Sequence, residues 1–260
     1  MTSLRVAVAG KGGAGKTTVS ATLARLLARQ GRDVTVIDGD SNPNVAVAMG
    51  VDRALAESLQ PLPTTLVSRR MGGTALKEPI DAVLAEHSIP APDDVRVLMM
   101  CMPKHADEGC LCTSHATVAG LMNDMAERED SVTILDLEAS PEHLSRGTTR
   151  NVDYLFLIVE PYYRSYETAK RMAALAAELP IARVAVVANK LRNAADAEAI
   201  REYCELNKLN LDGELPWSEA AINADKAGVP LLDYEPADPM VEAVGKVAER
   251  ITTTVPALRP

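Results

Sequence analysis

The sequence predicts an α/β fold: a mostly parallel sheet with helices on both faces. Three observations carry that expectation. Apolar runs of strand length alternate with helix-period patterns throughout the chain. One run, Val152 to Val159, is almost unbroken, as a strand covered on both faces must be. Acidic residues close several runs, and an open parallel sheet binds ligands outside the carboxyl ends of its strands. No repeat, low-complexity stretch or linker divides the 260 residues, so 1–260 reads as one domain.

The apolar fraction of 47% suffices for a substantial core, and with one Phe and one Trp that core must be aliphatic. A net charge of −9 argues against nucleic-acid and anionic-membrane partners, which call for a basic face. No apolar run approaches the roughly 20 residues of a membrane span. The first strand starts at Leu4 with no signal peptide before it, so the expected location is cytoplasmic. The four cysteines are then expected as thiols, metal ligands or core residues rather than disulfides.

In chain order, Leu4 to Ala9 is the first strand and Thr17 to Arg29 the first helix. Between them runs Gly10-Lys11-Gly12-Gly13-Ala14-Gly15-Lys16-Thr17-Thr18. Strand, glycine-rich turn, Lys-Thr and helix in that order are what a phosphate-binding P-loop requires, so the fold expectation sharpens to a P-loop NTPase domain. Glycines let the backbone turn tightly and aim N–H groups at phosphate oxygens. Gly12, Gly13, Ala14, Gly15, Lys16, Thr17 and Thr18 form the expected cradle. Lys16 would reach the outer phosphates, the Thr17 hydroxyl would bind Mg²⁺, and the helix N-terminus adds its positive end.

Asp33 to Ile37 is the second strand, and it ends in Asp38-Gly39-Asp40-Ser41-Asn42-Pro43-Asn44. These carboxylates fall beside the P-loop in an open sheet, although a turn of this composition needs no ligand to account for it. Residues 50–94 show short helical patterns such as Ile80 to Glu86 between prolines, and no chemistry. Asp94 to Met100 is a strand. Beyond it, Cys110 and Cys112 form a Cys-x-Cys pair ahead of a helix at Ala116 to Arg128. Two thiols so spaced can point at one metal, and two such pairs across a two-fold axis give the four thiolates of a Zn²⁺, Ni²⁺ or iron–sulfur site. The pair alone is also consistent with small buried thiols. His105 and His115 flank it, as ligands or as loop and helix-cap residues; Cys101 and Cys204 read as core or incidental. Ser131 to Leu137 is a strand closed by Asp136, the arrangement in which an acid holds Mg²⁺ through water.

Two resemblances follow. Lys11 makes the loop Lys-Gly-Gly-x-Gly-Lys-Thr, which resembles the deviant Walker A of the ParA, MinD and nitrogenase iron-protein superfamily. That resemblance implies ATP as the nucleotide and an ATP-dependent homodimer, with Lys11 reaching the partner's nucleotide, where a cation neutralises charge on the transferring phosphoryl group. It places Asp40 where the carboxylate handling the attacking water lies, and Asp38 near Mg²⁺. It assigns Asn189, at the end of the strand Arg183 to Ala188, to the adenine edge. Glu214-Leu215-Pro216-Trp217 and Asn223-Ala224-Asp225 resemble the family's last nucleotide-side loop, which puts Pro216 against the base.

The run Asp136-x-Glu138-Ala139-x-x-Glu142-His143-Leu144-x-Arg146-Gly147-Thr148, with Val159-Glu160-Pro161 and the Cys-x-Cys pair, is similar to the CooC-type ATPases, nickel-insertion accessory proteins of carbon monoxide dehydrogenase. It implies a metallochaperone ATPase that delivers Ni²⁺, or handles Zn²⁺, for a client metalloenzyme. Two alternatives stay open. One is an electron donor with a subunit-bridging 4Fe–4S cluster, although the iron proteins carry a cluster cysteine just after this segment that is lacking here. The other is a ParA- or MinD-like positioning switch. The closing helix, Pro239 to Ile251, has one apolar stripe and no basic face, so it reads as core packing.

Overall fold

The computed structural model describes residues 3–70, 73–100 and 112–258. The first βα unit is β1 (Leu4–Gly10) and α1 (Lys16–Arg29), followed by β2 (Asp33–Gly39), α2 (Val45–Ala48) and α3 (Arg53–Ser58). The middle of the chain holds β3 (Val67–Arg70), β4 (Gly73–Leu76), α4 (Ile80–His87), β5 (Ile89–Pro90), β6 (Arg96–Met99) and α5 (Cys112–Asp124). The remainder runs β7 (Ser131–Leu137), α6 (Glu142–Ser145), β8 (Tyr154–Val159), α7 (Tyr163–Ala176), β9 (Arg183–Leu191), α8 (Ala194–Leu206), β10 (Asn210–Pro216), α9 (Glu219–Ala227), α10 (Leu231–Tyr234) and α11 (Pro239–Leu258).

Eight strands form one sheet in the order β10-β9-β8-β1-β7-β2-β6-β5. Every pairing is parallel except the short edge strand β5 against β6. β3 and β4 make a separate antiparallel hairpin. β1 lies between β7 and β8, so the loop that leaves it opens in the crevice between neighbours from later in the chain, where open sheets bind ligands.

Side-chain alternation builds two cores, one on each face. Leu4, Val6 and Val8 of β1, with Tyr154, Phe156 and Ile158 of β8, face the cluster that α1 and α11 cover. Ala7 and Ala9, with Leu155, Leu157 and Val159, face the cluster of α4, α5, α7 and α8. Both clusters are overwhelmingly aliphatic, as the composition requires.

Several element ends differ from expectation. The helix expected at Ala116 to Arg128 begins at Cys112 and gives way after Asp124 to a 3-10 turn, Met125–Glu127. The closing helix continues past Ile251 to Leu258. Residues 223–225, expected in a loop, lie inside α9, which Ser218 caps by accepting from the Ala221 N–H at 2.9 Å. The unreadable stretch 50–94 carries the hairpin, α4 and Asp93, one partner of a polar anchor. That anchor is Arg25, on α1 and 3% exposed, which donates to Asp93 at 2.6 Å, to Asp233 at 2.5 and 2.9 Å, and to the Met49 carbonyl at 3.3 Å. Its two carboxylates hold the guanidinium's pKa up against the opposing effect of burial. Removing one partner of a buried charge network leaves the others unpaired. We expect Arg25→Ala to lower the unfolding free energy by about 3 kcal/mol in urea titration, with little change in the slope.

Candidate functional site

The site is assembled where β1, β2 and β7 end. Gly10 closes β1 with φ +145°, and a Cβ there would lie 2.5 Å from the Ile158 carbonyl oxygen. Only glycine lets β1 run this close to β8 as the chain turns away. Gly15 then caps α1 in the left-handed region, with φ 94°. A side chain on it would meet Asn189 Nδ2 at 2.5 Å. Asn189 is buried under the loop and donates to the Ala14 carbonyl at 2.7 Å. Its Oδ1 accepts from the Lys190 N–H at 2.8 Å. Lys190 donates to the Gly13 carbonyl at 2.5 Å and pairs with Glu160 at 2.8 Å. The loop is thus braced from below while Gly12 and Gly13 remain exposed.

Lys16 is buried, its ammonium 3.5 Å from the Lys11 carbonyl. Desolvation lowers its pKa in spite of the opposing fields of Asp136, Asp40 and Glu138. Thr17 donates its hydroxyl to Asp136 at 2.8 Å, and Ser20, one turn on, donates to the other oxygen at 2.8 Å. Asp136 stands level with Asp38 on the adjacent strand. Both carboxyls are buried. Burial first, and then a neighbouring carboxylate, pushes Asp38 up to about 7; burial, with a smaller push from Asp40, raises Asp136 to about 6. Asp38 organises the turn after β2 by accepting from the N–H groups of Asp40 (3.1 Å), Asn44 (2.9 Å) and Val45 (2.9 Å). Asp40 stands half-buried at the mouth and accepts from the Asn42 N–H at 2.8 Å.

This donor set fits a hard divalent cation: buried oxygen ligands, raised carboxyls and the Thr17 hydroxyl beside them. Thr17 and Asp136 are the groups that would hold Mg²⁺, which when bound screens phosphate charge. Lys11, half-buried at the surface of the loop, lies 5.7 Å from the centroid of the Tyr162 ring. Pro216 ends β10 beside Trp217, whose ring stacks on Arg192 at 4.5 Å. Trp217 and Arg192, with Tyr162, Lys190 and Asp196, line an open cavity of about 460 Å³, to which Pro216 and Asn189 do not contribute.

Cys110 lies outside the described residues, as do Cys101 and His105; of Cys112 only its place at the start of α5 is described. Among the described residues no cluster of three or more His, Cys, Asp or Glu is placed to hold a metal. Cys204 is buried in α8, and burial pushes its thiol up to about 11. His115, expected as a cap or ligand, sits inside the first turn of α5, buried against His143. Ser20, Lys190 and the His115–His143 contact carried no sequence signal. Ser20 alone was within reach of one, since it lies one turn after Lys16 on the same helix face.

A strand, a glycine-rich turn and a helix whose first hydroxyl faces a buried strand-end acid define the class: a P-loop ATPase. Residues 6–231 match the CobQ/CobB/MinD/ParA nucleotide binding domain, and the chain belongs to that family. It is 33% identical over 243 residues to the carbon monoxide dehydrogenase accessory protein CooC of Rhodospirillum rubrum, covering 90% of this chain and 91% of that one. An uncharacterized ATP-binding protein of Methanocaldococcus jannaschii is 31% identical over 264 residues, covering 96% and 100%. The MinD cell division protein of Aquifex aeolicus superposes with a TM-score of 0.71 at 19% identity, over 96% and 97% of the two chains, which places the fold. No described helix is long and apolar enough to cross a membrane.

One group here ties stability to pH. His143 is 2% exposed, and burial pulls its pKa down to about 4. The unfolded chain, at roughly 6.5, takes up the proton first. The stability is present in full above pH 6.5 and falls as pH drops toward 4. We expect wild type to lose about 2 kcal/mol more than His143→Phe between pH 6.5 and 5, read from urea midpoints at each pH.

Proposed function

We propose that the protein is a homodimeric, cytoplasmic MgATPase that uses nucleotide-driven rearrangement to load a metal, nickel in the leading reading, into a client metalloenzyme of the carbon monoxide dehydrogenase kind. The observation that carries the reading is the identity to an accessory protein of that enzyme along nearly the whole of both chains. The sequence supplies a Cys-x-Cys pair at the same time. Nickel is cargo here, held by Cys110 and Cys112 of two subunits together.

In this reading Lys16 and the N–H groups from Gly12 to Thr18 take the phosphates of ATP. Thr17 and Asp136 would hold Mg²⁺, which would supply positive charge beside the phosphates. Asp40, half-buried at the mouth, orients the attacking water. Lys11 leaves its place near Tyr162 to neutralise charge on the partner's phosphoryl group. In the same reading Asn189 and Pro216 border the base.

Two measurements test this. Lys16→Ala is expected to reduce ATP turnover by at least about 100-fold, since a cation aimed at the transferring group is lost; wild-type turnover would overturn the assignment. Anaerobic metal analysis of wild type should find one Ni²⁺ or Zn²⁺ per dimer without sulfide, and none in the Cys110→Ser, Cys112→Ser double variant. Iron with matching sulfide would make the protein an electron donor. No thiol-dependent metal would leave a positioning switch.

A further inference from the structure

The turn after β1 is flanked by charge on both sides, and the two flanks differ in sign. β1 lies between β8 and β7. On the β8 side stands α7. Its Arg164 and Arg171, two turns apart on one face of the helix, line an open cavity of about 380 Å³ together with Lys11, Tyr163, Glu167 and Thr168. On the β7 side runs the segment after Leu137. It borders the loop, since a Cβ on Gly12 would lie 3.6 Å from the Ala139 Cβ. Glu138, on that segment, is half-buried, and its field opposes the desolvation that lowers the Lys16 pKa.

These charges are unpaired. Many arginines of the chain have carboxylate partners: Arg5 has Asp153, Arg25 has Asp233, Arg183 has Asp212 and Arg201 has Glu214. Arg164 and Arg171 have none among the described residues, and neither guanidinium donates a hydrogen bond there. The Glu138 carboxylate likewise accepts from no donor among them. Lys11 has only the Tyr162 ring, at 5.7 Å. Tyr163, on the same rim, is 73% exposed. Arginine beside an exposed aromatic ring is the composition of a protein contact. In a chain of net charge −9, cations gathered on one rim are a local exception. Glu167 among them and Glu138 on the far flank oppose a nucleic-acid or anionic-lipid surface.

A second copy of the chain supplies the complement. In an isologous contact one patch meets itself about a two-fold axis. An axis across the order β8-β1-β7 lays the cation flank of each copy on the acid flank of the other. An axis along that order lays cations on cations, which like charge opposes. The surface thus admits one orientation of a mouth-to-mouth contact and repels the other.

We infer that Arg164 and Arg171 are positioning residues that pair with Glu138 of the partner subunit and so fix which way round two copies meet. The inference rests on the homodimer proposed above and does not need the cysteine pair to hold a metal. The pairing occurs twice per dimer, and it sets Lys11, on the same rim, toward the partner's phosphate loop.

Sedimentation velocity on the full-length protein, with Mg²⁺ and a non-hydrolysable ATP analogue, reads the dimer. One variant carries Arg164→Glu with Arg171→Glu, and a second carries Glu138→Arg. Each alone should weaken dimerisation by at least about 100-fold, since each puts like charges in contact twice. Mixed in equal amounts, the two should dimerise within about tenfold of wild type, because every contact in the mixed dimer then joins opposite charges. A purely structural role predicts no such recovery. Arg164→Gln with Arg171→Gln should weaken the dimer by about tenfold and blunt its sensitivity to salt. At concentrations where wild type is monomeric, the double Glu variant should bind a fluorescent ATP analogue within about threefold of wild type.

Undiminished dimerisation by either reversed variant alone would overturn the inference. So would a mixture that stays monomeric although both variants fold. A wild type that binds the analogue yet remains monomeric would sink the homodimer reading and this inference with it. A wild type that dimerises beside variants that do so equally well would sink the inference alone. If Glu138→Arg does not fold, Glu138→Gln replaces it and must take up the double Glu variant better than wild type does.

Discussion

Two carboxylates at the same level of adjacent central strands are the constraint around which this molecule is built. Asp38 and Asp136 are register partners in the middle of the sheet, and both are buried. Burial is the main reason both carboxyls lie above the ordinary range, with a further push from Asp136 on Asp38 and a smaller one from Asp40 on Asp136. What surrounds them is the response. Three backbone N–H groups converge on Asp38 and thereby fix the turn after β2. Two hydroxyls from the first turns of α1 converge on Asp136 and thereby fix the entry of that helix. Lys16 lies close by, yet desolvation outweighs three acids in setting its pKa.

The loop itself is finished beforehand. Asn189 and Lys190 hold the carbonyls of Ala14 and Gly13 from below, so the glycine turn needs little further ordering when phosphate arrives. Preorganised donors lose less on binding than donors that must first be fixed. The same device explains Gly10 and Gly15. At each, the neighbouring strand stands so close that a methyl group would collide with a backbone oxygen or with the bracing amide.

Much of this was legible because it is local. The strands announced themselves as aliphatic runs, and the alternate faces of β1 and β8 sort into the two clusters as period-2 patterning demands. The phosphate loop is contiguous, so its spacing alone carried it. The rest depends on contacts between residues far apart in sequence. Arg25 meets Asp233 across 208 positions, and nothing near either residue signals the other. His115 and His143 approach only after α5 and α6 have docked. The stretch 50–94 was opaque for a related reason: its helices are short, and its hairpin is held by α5 rather than by its own pattern, with Gly120 admitting Val67 and Thr74 at its surface. Asn223 to Asp225 misled because a loop-like composition sits behind Ser218, a cap that makes it a helix.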